Sequence, residues 1–182
     1  MGRKTISRQR LIEHLTPPAG ASVPPYPAAR DVVYRTSLWT LSGSLLALTA
    51  AMVISSRGLA EAAAAGGTLA NLVAAWTFLV WMPSWRWTVR GLAWVGLMGW
   101  AFSLPLFLWG GVLAASAVMA AKEYHCFKFW PGRWIPWVSA ITGVAWLARL
   151  GIAVIVCFGV LGMLWALLLW QRSKLPLFAV DG

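Results

Sequence analysis

Long apolar runs separated by short polar breaks make up most of this chain, and within the runs apolar and polar positions do not alternate with period two. A barrel strand would alternate; an unbroken run of membrane-crossing length reads as a helix. The first run, "SLWTLSGSLLALTAAMVISS" (37–56), has close to the ~20 residues that a bilayer requires. "RGLAEAAAAGGT" is then expected to turn the chain, and a second run, 68–83, to end at Pro83. "SWRWTVR" follows as a predicted loop.

The next two runs are too long for one crossing each. Gly91–Ala121 carries no charge, and as a single helix would measure about 46 Å against a hydrocarbon core of about 30 Å. Leu104–Pro105 lies at its middle, which divides it into spans near 88–103 and 106–121. Trp134–Trp170 is longer still, and Arg149 with Gly151 divides it into 134–149 and 152–171. The pattern therefore predicts an all-α, polytopic transmembrane bundle of six spans arranged as three hairpins. A polar, Pro-rich arm (1–36) precedes the transmembrane domain (37–171), and a short tail (172–182) follows it. Within the arm, "ISRQRLIEHL" could form a short amphipathic helix, while "TPPAGASVPPYPAAR" reads as extended chain. The arm has no apolar core of the kind a cleavable signal needs, so none is expected.

Composition supports the lipid setting. Of 182 residues 60% are hydrophobic and only 11% charged, far below the roughly 25% charge of a soluble domain. A formal charge of +10 would point to nucleic acid in a soluble protein, but these bases flank apolar runs, where they determine topology. Nucleic acid is excluded as the expected partner, and an anionic lipid surface takes its place. With six spans and the N terminus inside, Arg3, Lys4, Arg8, Arg10, Arg30, Arg35, Arg86, Arg90, Lys122, Lys128, Arg133, Arg172 and Lys174 all face the cytoplasm. Only Arg57 and Arg149 face out, so both termini are expected to be cytoplasmic in a bacterial inner or thylakoid-type membrane. Four spans would put three of these bases, in the 122–133 loop, outside.

Fourteen tryptophans are many for such a chain. Trp39, Trp81, Trp85, Trp87, Trp130, Trp134 and Trp170 fall at span ends, as an interfacial belt does. Trp94, Trp100, Trp109, Trp146 and Trp165 lie deeper, packing against helices or lipid, or contacting flat ligands such as chlorophyll, carotenoid or quinone. Gly110, Gly111, Ala114 and Ala115 are small residues at four-residue spacing, which lets two helix backbones approach closely.

The chemistry-bearing stretch is "KEYHCFKF", with Lys122, Glu123, His125, Cys126 and Lys128, at the end of the fourth span and in the loop after it. His125 and Cys126 are adjacent and so point about 100° apart on a helix, which does not make a nucleophile–base dyad. A zinc site would need further ligands. His125 is the candidate axial ligand of a haem or chlorophyll. Lys122 and Lys128 are expected to reach the headgroups. Glu123 is expected to pair with Lys122, Lys128, Arg133 or Arg90. No catalytic residue and no metal site is assigned, and the loop reads as structural.

Lys122, Glu123, Cys126 and Phe127 form a Lys-Glu-x-x-Cys-Phe pattern between apolar segments. In this the chain resembles a family of small cyanobacterial integral membrane proteins, over about residues 90–182. The resemblance implies a lineage and a photosynthetic membrane, with no activity to carry over. Together these readings favour a non-enzymatic accessory subunit or assembly factor held among other membrane protein subunits. The alternative is a small transporter with Lys122 and Glu123 at its gate.

Overall fold

The computed structural model describes residues 27–78, 80, 82–175 and 177, and among these it is all-α. Six helices follow in order: α1 (Ala28–Val53), α2 (Arg57–Thr77), α3 (Pro83–Ala101), α4 (Pro105–Phe127), α5 (Trp130–Leu147) and α6 (Gly151–Ser173). Each packs against its neighbours in sequence, and α1 also packs against α6, so the six close into a ring. Helix α2 additionally touches α4. Short connections between packed neighbours make them antiparallel. One end of the bundle thus gathers the starts of α1, α3 and α5 and the ends of α2, α4 and α6. By length and composition α1, α4 and α6 are long and apolar enough to cross a membrane.

Several boundaries differ from the sequence reading, each for a local reason. Helix α1 begins at Ala28, not Ser37, because Pro27, the last proline of the arm, holds the extended N-cap conformation and no helix breaker follows it before residue 37. From there Asp31, Tyr34, Leu38, Leu41, Leu45 and Leu48 recur at helical spacing and are all buried. "RGLAEAAAAGGT" is helical rather than a turn: Ser56 caps α2 by accepting from the Leu59 N–H, and Arg57 pairs with Glu61 one turn on at 2.8 Å. Pro83 does not end a span but opens α3, where its missing N–H costs nothing, and "SWRWTVR" forms the first turns of that helix. Arg172 and Ser173, assigned to the tail, belong to α6. The proposed helix at 6–15, the rest of the arm to residue 26, Trp81 and the tail from Phe178 lie outside the described residues.

The breaks at Leu104–Pro105 and Arg149–Gly151 fall where the sequence places them. These two turns and the one at 54–56 share a single geometry. Ser55, Ser103 and Arg149 take φ of 53°, 54° and 57°. The next residue's N–H reaches back to the carbonyl of Ala51, Gly99 or Ala145 respectively. This left-handed helix stop satisfies carbonyls that the helix end would otherwise leave open.

Tight crossings hold the ring together. At α3–α4, a methyl group on Gly99 would fall on the backbone of Leu108, and one on Gly111 on the backbone of Gly96 and Leu92. At α1–α6, the Ser42 hydroxyl donates to the Gly162 carbonyl at 2.8 Å. The four small residues singled out on α4 therefore split between two roles. Gly111 and Ala115 are buried in the bundle, while Gly110 faces open space.

Trp165 is fully buried in the core, and Trp109 packs edge-on against Phe158 with ring centroids 4.9 Å apart. Trp94 and Trp100 are exposed on the outer surface. Asn71 of α2 is also fully buried, and neither atom of its amide finds a hydrogen-bond partner among the described residues. An unpaired buried amide costs about 1–3 kcal/mol. Asn71→Leu, which keeps the number and branching of side-chain heavy atoms and is without that cost, is expected to raise the thermal midpoint of the protein in detergent. A lowered midpoint would show that the amide is satisfied in the membrane.

Candidate functional site

At the end of the bundle that gathers the starts of α1, α3 and α5 and the ends of α2, α4 and α6, five charged side chains meet. Helix α1 supplies Asp31 and, one turn on, Arg35, with Tyr34 between them on the same face. Helix α4 supplies Lys122 and Glu123, and α6 supplies Arg172 from its last turn. Asp31 and Glu123 are 0% exposed and Arg172 is 2% exposed. Ions this deep persist only when paired and hydrogen-bonded.

The pairing is dense. One Arg172 nitrogen, Nη2, donates to Asp31 Oδ1 at 2.8 Å, and the other, Nη1, donates to Glu123 Oε2. The other Asp31 oxygen takes Arg35 Nη2 at 2.9 Å. Glu123 Oε1 accepts from the Tyr34 hydroxyl and from Lys122 Nζ, each at 3.2 Å. One guanidinium thus bridges two carboxylates from two helices, with one nitrogen of its planar fork turned to each. Rings complete the enclosure: Arg172 lies 4.8 Å from the Tyr34 centroid and 5.5 Å from that of Phe127. With every group ionised, three bases face two acids.

Arg35, and Arg30 beside it on α1, also serve helix ends. Arg35 Nη1 donates to the carbonyls of Arg172 and Leu175, at the C-terminus of α6. Arg30 donates to the Trp76 carbonyl at 2.9 Å, at the C-terminus of α2. A cation at a helix C-terminus meets open carbonyls and the negative end of the helix dipole. The start of α1 thereby ties together α2, α4 and α6.

The residues expected to matter separate here. Lys122 and Glu123 lie in the cluster. Lys122 is directed inward onto Glu123, and sits 5.2 Å from the Phe127 ring, where the sequence reading sends it to the headgroups. Glu123 pairs with Lys122, as expected, and with Arg172, which the sequence reading leaves in the tail. The other expected partners lie against rings instead: Lys128 over Tyr124, Arg133 over Trp134, Arg90 over Trp76. His125 is exposed on the outer side of the last turn of α4 and takes no part in the cluster. Cys126 and Cys157 are half-buried free thiols. Among the described residues no group of His, Cys, Asp and Glu is placed to hold a metal ion. Lys128, expected in the loop, stops α4 in a left-handed conformation, φ 56°.

Sequence reasoning missed Asp31, Tyr34, Arg35 and Arg172. A signal existed: the buried stripe of α1 runs back through Tyr34 and Asp31, and Asp31 is one of only five acids in the chain.

Two clefts among the described residues lie elsewhere. One of about 350 Å³ runs between α4, α5 and α6, with Trp109, Gly110, Ala114, Gly143 and Trp146 in its walls. The buried Ser139 hydroxyl also lines it and has no partner among the described residues. The other, of about 700 Å³, is at the far end of the bundle, against Arg57, Glu61, Trp100 and Pro105. The molecule is thus of the class of all-α proteins with apolar helices of membrane-crossing length. Comparisons with protein-family models, curated proteins and solved structures find no match.

Proposed function

We propose that this is an integral membrane protein of six spans, with both termini cytoplasmic, acting without catalysis as an accessory subunit or assembly factor of a larger membrane complex. The observation that carries this is the closed charge cluster. Asp31, Glu123 and Arg172 are consumed by one another and by Arg35, Lys122 and Tyr34, and neither cleft described above reaches them. Such a cluster fixes helices, and its own charges are paired with one another. Many large apolar side chains lie on the outer surface, Trp87, Trp137 and Ile152 among the most exposed, as contact with lipid or with neighbouring subunits requires.

Charge distribution supports the topology. Arg30, Arg35, Arg86, Arg90, Lys122, Lys128, Arg133, Arg172 and Lys174 sit at one end of the bundle, and Arg57 and Arg149 at the other. Cysteines introduced at Ser84 and Ser173 are expected to react with a membrane-impermeant thiol reagent only from the cytoplasmic side, and one at Gly58 only from the opposite side. Ser84 and Ser173 reacting from different sides would overturn the six-span arrangement.

A second reading, a small transporter, is favoured by the full burial of Glu123, since a carboxylate within a membrane helix is a default functional site. Purification in mild detergent separates the two. A stoichiometric membrane partner supports the subunit reading. A lone oligomer that moves a solute across liposomes supports the transporter. The resemblance around Lys122–Phe127 directs the first search to photosynthetic complexes, and to chlorophyll or carotenoid among the ligands.

A further inference from the structure

We propose that Arg86 and Arg90, with Arg30 beside them, hold the phosphate of an anionic phospholipid headgroup at the junction of α2 and α3. The inference rests on the membrane-spanning reading above and adds a defined ligand to it.

The geometry begins with one carbonyl. The oxygen of Trp76, near the end of α2, accepts from Arg30 at 2.9 Å and from Arg90 at 3.4 Å. The two guanidinium nitrogens are therefore no further apart than those two bonds laid end to end. Arg86 stands one turn before Arg90 on α3, and the charges of both Arg30 and Arg86 act on Arg90. Arg90 is further held by rings, 4.3 Å from the Trp76 centroid and 5.2 Å from that of Trp87. Like charges held this close repel, and more so as water is withdrawn.

No carboxylate among the described residues pairs with Arg86 or Arg90. Asp31 is bound by Arg35 and Arg172, Glu123 by Lys122 and Arg172, and Glu61 by Arg57 at the far end. Converging cations of this kind match an anion with several oxygens, and arginine forks bind phosphate two-pronged.

The setting selects a lipid over a soluble anion. Met82, Trp85 and Trp87 flank the arginines and are 56%, 46% and 64% exposed. Tryptophans at this depth sit at the headgroup level, with apolar neighbours among acyl chains. A phosphodiester fixed there by its own lipid tails needs no free phosphate to reach the site. Basic pockets between helices at the cytoplasmic face hold acidic headgroups by the same physics.

The test uses the full chain purified in mild detergent, with bound lipid read by native mass spectrometry. The probes are phosphatidylglycerol and phosphatidylcholine of matched acyl chains. The protein is expected to retain phosphatidylglycerol preferentially. Arg86→Gln with Arg90→Gln is expected to lower that retention about tenfold or more. Lys128→Gln with Arg133→Gln removes as much charge from the same end and is expected to leave the retention intact. Arg90→Lys keeps the charge, loses the fork, and serves if the double variant does not fold; it is expected to fall between the two. Equal loss in both double variants would reveal a diffuse surface charge and overturn the site. Unchanged retention in Arg86→Gln/Arg90→Gln, or in Arg90→Lys where that variant stands in, would overturn it as well. Displacement of the lipid by millimolar inorganic phosphate would make it a soluble-anion site and overturn the lipid assignment. Release of the protein from native membranes by alkaline carbonate would sink the spanning reading itself. Membrane retention without lipid preference would sink only this inference.

Discussion

Arg172→Met is expected to be the most damaging single change among the charged residues. Removing one partner of a buried ion pair costs about 3–5 kcal/mol, because the charge left behind has lost both water and counter-ion. Here two carboxylates are left, Asp31 and Glu123, each fully buried. Each retains a second partner: Arg35 holds Asp31 at 2.9 Å and Lys122 holds Glu123 at 3.2 Å. The expected loss is therefore near the lower limit, about 3 kcal/mol. It should appear as low abundance and a reduced thermal midpoint in detergent.

The contrast with the neutralised cluster separates a charge effect from a volume effect. In Asp31→Asn/Glu123→Gln/Arg172→Met the fully buried charges are removed together, leaving Arg35 and Lys122, each 14% exposed, without their acids at the edge of the cluster, and replacing a buried ionic group by neutral residues of similar volume is often neutral or better. The triple variant is thus expected to be more stable than Arg172→Met alone, although it carries two further substitutions. His125→Ala, at an exposed position outside the cluster, is expected to stay within about 0.5 kcal/mol of the parent. A triple variant no better than Arg172→Met would show that packing, and not the pairing of charges, holds this end. A His125→Ala protein that loses a bound pigment at normal abundance would return the site to the outer face of α4.

How far the sequence spoke for itself can be judged from particular residues. Apolar run length, with Pro105 and the Arg149–Gly151 break, placed the later helices closely, because hydrophobic length and helix-breaking residues are local properties. Helix starts were less legible. Proline at 83 is read as a stop or a start depending on which side its neighbours pack, and only the packing decides. Arg57 and Glu61 looked like a loop because charge is costly in lipid, yet they sit at a helix end and pair with each other.

The charge cluster was half legible. The sequence marks Glu123 as needing a partner, because an acid at that end is unfavourable for the positive-inside pattern and for the helix dipole alike. Its main partner could not be named, since Arg172 is 49 residues away and the two meet only through the folding of α4, α5 and α6 into one ring. Asp31 is further still, 141 residues from Arg172. Contacts that close a ring are set by tertiary geometry, and no local pattern encodes them.

Two adjacent glycines on α4 carry the sharpest packing test. Gly111 points into the α3–α4 crossing, where a methyl group would fall on the backbone nitrogen of Gly96 and the carbonyl oxygen of Leu92. Backbone cannot swing aside as a side chain does, so any larger residue must push the two helices apart. Separation would also undo the contact at Gly99, where added bulk would meet the Leu108 backbone. Overpacking ordinarily costs about 1–3 kcal/mol and more when nothing can relax. Gly111→Leu is expected to reach about 3 kcal/mol or beyond, leaving little monodisperse protein after extraction. Gly110, one position earlier, points some 100° away into open space, with nothing within 4 Å of an added methyl. Gly110→Ala is expected to gain up to about 1 kcal/mol from helix propensity alone. If Gly110→Ala instead reduces co-purification with a partner while the protein stays folded, the open face of α4 is occupied by that partner in the membrane. If Gly111→Leu is tolerated, the α3–α4 crossing is not as close as described, and the ring of six helices would have to be redrawn there.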